Sequence, residues 1–241
     1  MRYFIELSYH GKKYHGWQSQ PDANSVQEEI NKAVSIVLQE KIVVMGAGRT
    51  DTGVHASQMF AHFDTDKELN DNYVFKLNSV LPEDIVIYKI NKVADEMHAR
   101  FDALSRSYEY KIWLGRNPFK LDVTWQFYHK KLDIIAMNEA AKVLLEFENF
   151  QAFSKVKTEV RTFNCDVTEA KWIQNGNELT FHISANRFLR NMVRAIVGTL
   201  VDVGKHKITK EEFRNIIISR DRSNAGLSVP AKGLFLTKIT Y

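Results

Sequence analysis

The fold class is decided by residues 167–185, which read VTEAKWIQNGNELTFHISA. Two runs with alternating apolar and polar residues, 167–174 and 178–185, flank the dipeptide Asn175-Gly176. Asparagine and glycine both tolerate the positive φ angles of a type I′ turn, so this is the strongest β-hairpin signal in the chain. The sequence therefore predicts antiparallel strands. A doubly wound parallel sheet, in which strands and helices alternate regularly, would not contain such a hairpin.

Hydrophobic periodicity extends this interpretation to the rest of the chain. It predicts further strands at 3–9, 42–45, 57–64, 85–93, 107–114 and 234–241, and helices at 26–38, 69–80, 133–146, 187–203 and 209–219. The sum is an α+β chain with a mostly antiparallel sheet, divided into an N-terminal half (1–103) and a C-terminal half (104–241). Because no linker rich in Pro, Gly or Ser separates them, we expect the halves to share one sheet.

Composition excludes several classes of protein. The 241 residues are 44% hydrophobic and 26% charged, with 11 Gly and 4 Pro, which is unlike collagen or a disordered chain. No apolar run exceeds four residues, far short of the roughly 18 that span a membrane. Glu6 interrupts any secretory signal and Cys165 is the only cysteine, so we expect a cytoplasmic protein with no membrane partner. The net charge of +4 permits a polyanionic partner.

The loop at residues 46–55, GAGRTDTGVH, concentrates glycines, threonines, an arginine and an aspartate between two apolar segments. Its glycine spacing matches neither a phosphate-binding loop nor a dinucleotide fingerprint. In an isolated loop, an aspartate such as Asp51 most often accepts backbone N–H bonds in its own turn. The residues alone leave open whether this loop is a turn or a site.

Other kinds of chemistry find little support. The eight histidines contain no His-x-x-x-His pair and only one cysteine is present, so we expect no metal site. No Gly-x-Ser-x-Gly elbow would hold a serine nucleophile, and Cys165 falls near a predicted strand, where a buried thiol is inert.

Three arginines share one face of the predicted helix at 187–203. At 100° per residue, Arg187, Arg190 and Arg194 lie within about 60° of one another, opposite an apolar stripe. Gly198 follows on the same face and leaves a gap that a backbone or a ligand could approach. Arginine suits bidentate contacts with phosphate, so this face predicts an anion site, although a solvated basic face is an equal alternative.

A second basic cluster surrounds the predicted strand at 107–114. Its cations outnumber its acids and two tyrosines alternate along the strand; the members are Arg100, Arg106, Lys111 and Arg116, the acids Asp102 and Glu109, and the aromatics Tyr108 and Tyr110. Cations with interleaved aromatic rings suit RNA, although strand tyrosines more often belong to a core. The residues thus indicate an anion-binding or RNA-binding α+β protein.

Nine residues of the glycine-bounded loop, 47–55, closely resemble the signature of the bacterial tRNA pseudouridine synthase A family. Motifs of the same family flank it in the same order: YHGKKYHGWQ at 9–18, SVQE at 25–28, LPEDI at 81–85, HARF at 98–101, RSYEY at 106–110, NRFLRNMVR at 186–194 and PAKGL at 230–234. The resemblance covers essentially the whole chain.

This resemblance implies isomerisation of uridine to pseudouridine at positions 38–40 of the tRNA anticodon arm, by a homodimer without metal or organic cofactor. It implies two ferredoxin-like or RRM-like halves that share a mostly antiparallel mixed sheet flanked by helices, with a basic cleft for RNA. The first half carries the catalytic loop. The second carries the stacking tyrosine and the arginine-rich helix.

The resemblance also implies the roles of single residues. Asp51 matches the catalytic aspartate, which detaches uracil by attack at C1′ or C6 or through an assisted glycal route. Tyr108 matches the tyrosine that stacks on the target base, and Arg49 a residue that acts where the nucleotide is flipped out. Arg194 matches a cation that pairs with the aspartate. We expect Arg187 and Arg190 to lie nearer to phosphate.

Two positions depart from the family pattern, and two other functions stay open. His10 stands where the family usually has aspartate, and Thr52 where alanine is common. Neither departure removes a catalytic group. The main alternative is a non-catalytic RNA-binding or RNA-folding module that uses the same basic surface. A nucleotide-dependent enzyme is disfavoured by the glycine spacing.

Overall fold

A computed structural model describes residues 1–128, 131–155 and 160–241. Within these residues the strands are β1 (Arg2–Tyr9), β2 (Met45–Gly46), β3 (His55–Asp64), β4 (Ile85–Val93), β5 (Ser105–Leu114), β6 (Trp125–Phe127), β7 (Val167–Asn175), β8 (Glu178–Ala185) and β9 (Leu234–Thr240). The helices are α1 (Val26–Leu38), α2 (Asn72–Asn78), α3 (Ile134–Lys142), α4 (Met192–Gly204) and α5 (Lys210–Ser219). The predicted α+β class with mostly antiparallel strands is confirmed.

The chain forms two compact units, and the second is not the whole C-terminal half. Unit 1 comprises Met1–Leu104 together with Phe235–Tyr241, and unit 2 comprises Ser105–Leu234. Assigning the last strand to the C-terminal half was therefore wrong. The strand joins unit 1 because β9 pairs in parallel with the start of β3, and because the backbone N–H of Ile239 donates to Oε1 of Gln58 at 3.0 Å.

Unit 1 has the ferredoxin-like arrangement. Its strands follow the order β4-β1-β3-β2, and each neighbouring pair is antiparallel. The helix α1 begins at Ser25, whose hydroxyl accepts the backbone N–H of Glu28, as the capping pattern predicts. Its buried face consists of Val26, Ile30, Ala33, Val34 and Leu38, all within the predicted apolar stripe. Burial of this stripe, rather than helix propensity, accounts for most of the stability of such a helix.

Unit 2 repeats part of this pattern. Its three long strands follow the order β5-β8-β7 with antiparallel pairing, and the short β6 adds to β5 in parallel. The predicted hairpin is confirmed, but its turn is shifted by one residue. Asn175 pairs with Glu178, which leaves Gly176 and Asn177 as the central residues. Of these two, only Gly176 has a positive φ, 57°, which is the type II′ pattern rather than type I′.

Two predicted elements of the N-terminal half are shorter than expected. The strand predicted at 42–45 is reduced to β2, because side chains of α1 satisfy the preceding backbone: Ser35 Oγ accepts the N–H of Ile42 at 3.0 Å, and Asn31 Oδ1 accepts that of Val44 at 2.8 Å. Consistent with this, Val43 is 62% exposed. The helix predicted at 69–80 spans only Asn72–Asn78.

The helix predicted at 187–203 begins only at Met192, so the three-arginine helix face was wrong. Asn191 has a left-handed φ of 66°, and the carbonyl of Arg190 accepts the N–H of Lys155 at 3.0 Å instead of a helical partner. Arg187 and Arg190 therefore precede α4, and only Arg194 lies on it. The predicted gap at Gly198 is filled by the chain itself, since a Cβ there would lie 1.8 Å from the carbonyl oxygen of Leu227.

Buried side chains dominate α4, which is nonetheless short. Its 13 residues extend about 20 Å at 1.5 Å per residue. Among the residues described, no helix combines the length and apolar character that a membrane span requires.

A buried histidine on β3 makes the stability of unit 1 depend on pH. His62 is 5% exposed, and its Nδ1 accepts the N–H of Ala99 at 3.2 Å. Burial lowers the pKa of His62 to about 4, and the charges of Arg2 and His98 act in the same direction. The unfolded chain, with the ordinary pKa of about 6.5, binds this proton at a higher pH than the folded chain does.

We therefore expect the free energy of unfolding to fall as the pH drops from about 6.5 to about 4. Below that window both states carry the proton and the contribution stays constant. Urea denaturation across the window should show a shallower decline for His62→Gln than for the unaltered protein. The exposed His15 supplies the control, because His15→Gln should keep the full decline. Identical curves for His62→Gln and the unaltered protein would contradict this assignment.

Candidate active site

The loop between β2 and β3 presents Arg49, Asp51 and Thr52. The N–H of Ala47 donates to the carbonyl of Phe60 at 2.8 Å, which extends the β2–β3 pairing into the loop. At the other end, the N–H of Val54 donates to the carbonyl of Asp51 at 3.1 Å and closes a turn. Arg49 and Thr52 are exposed, and Asp51 is half-buried. The loop thus holds its carboxylate near solvent on a short, defined turn.

Residues 9–17 hold this loop on both sides of Asp51. The N–H of Trp17 donates to the carbonyl of Thr50 at 3.2 Å, and the N–H of Gly53 donates to the carbonyl of Tyr14 at 3.2 Å. The hydroxyls of Tyr9 and Thr50 are hydrogen-bonded at 2.9 Å in a buried position. The aspartate therefore lies between two anchored neighbours, which limits the conformations its backbone can take.

Two glycines allow residues 9–17 to approach the loop at 46–55 this closely. A Cβ at Gly16, where φ is 97°, would lie 2.3 Å from the carbonyl oxygen of Thr50. A Cβ at Gly46 would lie 2.4 Å from the indole of Trp17. Both distances are far below a carbon contact distance, so any other residue at either position would push the two segments apart. Gly48 differs, because its missing Cβ faces open space.

Two more segments support the same loop from behind. The start of α1 is hydrogen-bonded to residues 16 and 17. The N–H of Val26 donates to the carbonyl of Gly16, and the N–H of Gln27 donates to the carbonyl of Trp17. Tyr14 donates its hydroxyl to Oδ1 of Asp84 at 2.5 Å. Burial and this carboxylate raise the pKa of Tyr14 well above its ordinary value. The motifs at 9–18, 25–28 and 81–85 are thus parts of one scaffold for Asp51.

Sequence reasoning assigned no role to Tyr9, Tyr14 or Trp17. Their signal was present, because all three lie in a quoted motif and aromatic residues are uncommon in solvated loops. The motif does not reveal which residue each aromatic side chain contacts, since Tyr9 and its partner Thr50 are 41 residues apart. No local pattern connects positions at such a separation.

His10, the first departure from the family pattern, lies beside the end of the loop that carries Asp51. The ring of His10 lies 4.4 Å from that of His55, which in turn stacks on Phe235 at 4.6 Å. Nδ1 of His55 accepts the N–H of Gly11 at 3.0 Å. The histidine therefore joins an aromatic row at the start of β3. Thr52, the second departure, is exposed.

In unit 2 the two predicted tyrosines have different environments. Tyr110 is fully buried, and its hydroxyl donates to the carbonyl of Pro230 at 2.8 Å. Burial raises the pKa of Tyr110 far above its ordinary value. Tyr108, two residues earlier on β5, is half-buried and meets the ring of Phe188 edge-on at 5.0 Å. Tyr110 is thus a core residue, whereas Tyr108 retains exposed surface; Phe188 is a neighbour that sequence reasoning did not identify.

Four of the arginines of unit 2 that the sequence analysis named differ in exposure and in their partners. Arg194 on α4 is half-buried and donates its Nε–H to the carbonyl of Val229 at 2.8 Å. Arg187 is half-buried near Cys165, whose pKa burial raises to about 11 against the opposing charge of Arg187. Arg190 is exposed. Arg106 on β5 donates to the carbonyl of Asn186 at 2.9 Å, which brings the segment before α4 to the strand that carries Tyr108.

Unit 1 presents a carboxylate and a cation on the loop at 46–55, and unit 2 separately presents cations and a half-exposed aromatic ring. No group of three or more metal-ligating side chains occurs within residues 1–128, 131–155 and 160–241. A carboxylate differs from a serine hydroxyl in needing no partner base to act as a nucleophile. Exposed arginines can bind phosphate, and a half-exposed tyrosine can stack on a base.

Comparisons with known proteins agree along the whole chain. A family model described as tRNA pseudouridine synthase matches residues 7–102 and 140–241. A tRNA pseudouridine synthase A of Parabacteroides distasonis is 49% identical over 243 residues, covering 100% of this chain and 96% of that protein. One of Bacteroides thetaiotaomicron is 48% identical, covering 100% and 90%. One of Bacillus licheniformis is 37% identical, covering 100% and 99%.

We predict that Gly16→Ala loosens the loop around Asp51. The positive φ and the contact with Thr50 together should lower the free energy of unfolding by about 3 kcal/mol or more. Hydrogen exchange at the amide of Gly53 should accelerate, because its bond to Tyr14 depends on the same approach.

The matched control is Gly176→Ala, since Gly176 also has a positive φ but faces open space. It should cost only the backbone penalty of about 1 to 2 kcal/mol. Equal costs in urea denaturation, with unchanged exchange at Gly53, would show that the close approach at Gly16 does not hold the loop.

Proposed function

This chain belongs to the tRNA pseudouridine synthase family, and from that membership we propose that it isomerises uridine to pseudouridine in tRNA, with Asp51 as the catalytic residue. The observation that carries the assignment of Asp51 is the anchored loop. Its neighbours Thr50 and Gly53 are hydrogen-bonded to residues 9–17, while the aspartate itself stays half-exposed. A reacting group must be held near its productive geometry and still reach the substrate.

The reaction exchanges one bond to the ribose for another. The bond between N1 of uracil and C1′ breaks, the base turns, and a bond forms between C5 and C1′. C5 loses its proton and N1 gains one, so the atoms balance without an external reactant. The carboxylate of Asp51 promotes the detachment by attack at C1′ or C6 or by assisting a glycal route.

The target base must leave its stack before C5 can replace N1 as the atom bonded to C1′, and leaving the stack costs a few kcal/mol. We assign stacking on the extruded base to Tyr108. Its ring keeps exposed surface, and the edge-on contact with Phe188 supports one orientation. Arg49, exposed on the same loop as Asp51, acts where the nucleotide is flipped out.

Arginines of unit 2 provide the remaining functions. We assign phosphate binding to Arg187 and Arg190, and a contribution to turnover to Arg194. The settings of Arg190 and Arg194 support this division, because Arg190 is exposed whereas Arg194 is half-buried and fixed at its Nε. Arg187 is half-buried, and its assignment rests on the resemblance of its motif. We also propose that the substrate positions are 38–40 of the anticodon arm, and that the protein acts as a homodimer in the cytoplasm. These last assignments rest on the resemblance of the motifs.

Asp51→Asn should abolish turnover while leaving tRNA binding within about twofold, because it removes the reactive charge and keeps the size of the side chain. The measurement is tritium release from tRNA labelled at C5 of uridine. Asp66→Asn, at an exposed aspartate in unit 1, is the control and should release tritium at the unaltered rate. Release by Asp51→Asn at that rate would overturn the assignment. An unaltered protein that binds tRNA but releases no tritium would instead favour the non-catalytic RNA-binding module.

Arg187→Ala and Arg190→Ala should each weaken tRNA binding and flatten its salt dependence, by about one unit of log–log slope for every phosphate that the variant no longer binds. Arg194→Ala should lower turnover more than affinity. Arg214→Ala serves as the control, because Arg214 already pairs with Glu146 at 2.7 Å. An unchanged salt slope for Arg187→Ala and Arg190→Ala would make them solvated surface residues. Equal losses of binding and turnover would contradict the role of Arg194.

A further inference from the structure

Residues 225–230, which we call the α4 strap, run along α4 and are held at almost every position. The segment follows a 3₁₀ turn (Arg222–Asn224) and leads through Pro230 to β9. It contains no helix or strand of its own, so its conformation depends on contacts with its surroundings. Two of these contacts, both made by Val229, are with Arg194.

The first half of the strap is fixed in register on α4 by small residues. The N–H of Gly226 donates to Oγ1 of the fully buried Thr199 at 2.9 Å. The carbonyl oxygen of Leu227 lies so close to Gly198 that a Cβ at position 198 would be only 1.8 Å from it. A shift of the strap along the helix would break the first contact and create a clash at the second.

Side chains then tie the middle of the strap to its neighbours. Oγ of Ser228 accepts from Nδ2 of Asn191 at 2.6 Å and from Nη2 of Arg222 at 3.1 Å. Nη1 of Arg222 donates to the carbonyl of Ala225 at 3.1 Å. This guanidinium therefore contacts both ends of residues 225–228, which we call the bend of the strap. Asn191 is the residue that precedes α4. The Ser228 hydroxyl therefore connects the bend to the beginning of the helix.

The residue after Ser228 fixes Arg194 from two sides. The N–H of Val229 donates to the backbone carbonyl of Arg194 at 3.2 Å, and the carbonyl of Val229 accepts Nε–H of the same arginine at 2.8 Å. Val229 is buried, and the hydroxyl of Tyr110 holds the next carbonyl, that of Pro230. Because a guanidinium is planar, a bond at Nε also fixes the directions of its Nη–H groups.

We propose that Ser228 and Arg222 are positioning residues for Arg194. They hold the bend of the α4 strap, the bend sets the carbonyl of Val229, and that carbonyl orients the guanidinium. The proposal rests on the contribution of Arg194 to turnover proposed above. Both residues act through the Val229 carbonyl in this proposal, so their loss lowers the fraction of molecules in which the guanidinium is correctly placed.

Ser228→Ala should lower kcat for tritium release by about 5- to 20-fold and leave KM for tRNA within about twofold. Ser228→Thr, which keeps the hydroxyl, should retain at least about half of the unaltered kcat. Ser223→Ala is the matched control, because it removes an exposed serine hydroxyl five residues earlier and should change nothing. A loss of kcat equal in Ser228→Ala and Ser228→Thr would overturn the proposal.

A double-mutant cycle separates positioning from general support of the fold. If Ser228 acts through Arg194, Ser228→Ala should lower kcat by less than about twofold in an Arg194→Ala background. Arg222→Ala should behave in the same way. An undiminished effect in that background would show that Ser228 supports the fold without orienting Arg194.

A readout independent of activity distinguishes this proposal from the proposed function. The Nε–H of Arg194 should exchange slowly with water in the unaltered protein and in Ser228→Thr, and quickly in Ser228→Ala, as observed by nuclear magnetic resonance of the side chain. This pattern without any tritium release would confirm the positioning and refute the function. Tritium release with an Nε–H signal indifferent to Ser228→Ala would refute the positioning alone.

Discussion

The placement of Asp51 depends on the close approach of two loops at Gly16 and Thr50. The carbonyl of Thr50 lies where a Cβ of residue 16 would be, and the adjacent N–H of Trp17 donates to that carbonyl. Such a contact needs a residue without a side chain and with a left-handed φ, which only glycine adopts without strain. Around it are arranged the hydroxyl pair of Tyr9 and Thr50 and the bonds from α1. A flexible polar loop thereby becomes a defined support for one carboxylate.

Local patterns of the sequence predicted the elements whose formation depends on local chemistry. The capped helix α1 and the hairpin β7–β8 lie where capping and alternation indicate. The predictions of secondary structure were wrong where hydrogen bonds to residues distant in the sequence determine the local conformation. Ser35 and Asn31 satisfy the backbone at Ile42 and Val44, which prevents a strand there. The bond from Lys155 to Arg190 keeps residues before Asn191 out of α4, although their periodicity is helical.

The candidate site shows the same limit. Asp51 and Tyr108 could be singled out only because their motifs resemble a family, since an isolated loop aspartate or strand tyrosine is common. The structure adds what no motif states: Tyr108 is supported by Phe188, and Arg194 is held by a strap that begins 31 residues later in the chain. Gly198 illustrates the difference, because its gap was visible in the sequence but its occupant, the carbonyl of Leu227, was not.

The return of β9 to unit 1 has a consequence for biosynthesis. Residues 105–234 lie between the two parts of unit 1, and a ribosome adding about 5 to 20 residues per second needs roughly 7 to 26 seconds to make them. During that interval the edge of β3 at His55, directly after the Asp51 loop, lacks its partner strand and the ring of Phe235. An open strand edge is a site of unwanted pairing between nascent chains. The unit that carries the proposed catalytic aspartate is thus interrupted by unit 2 along the chain, so the emerging polypeptide cannot complete unit 1 before β9 has been synthesised.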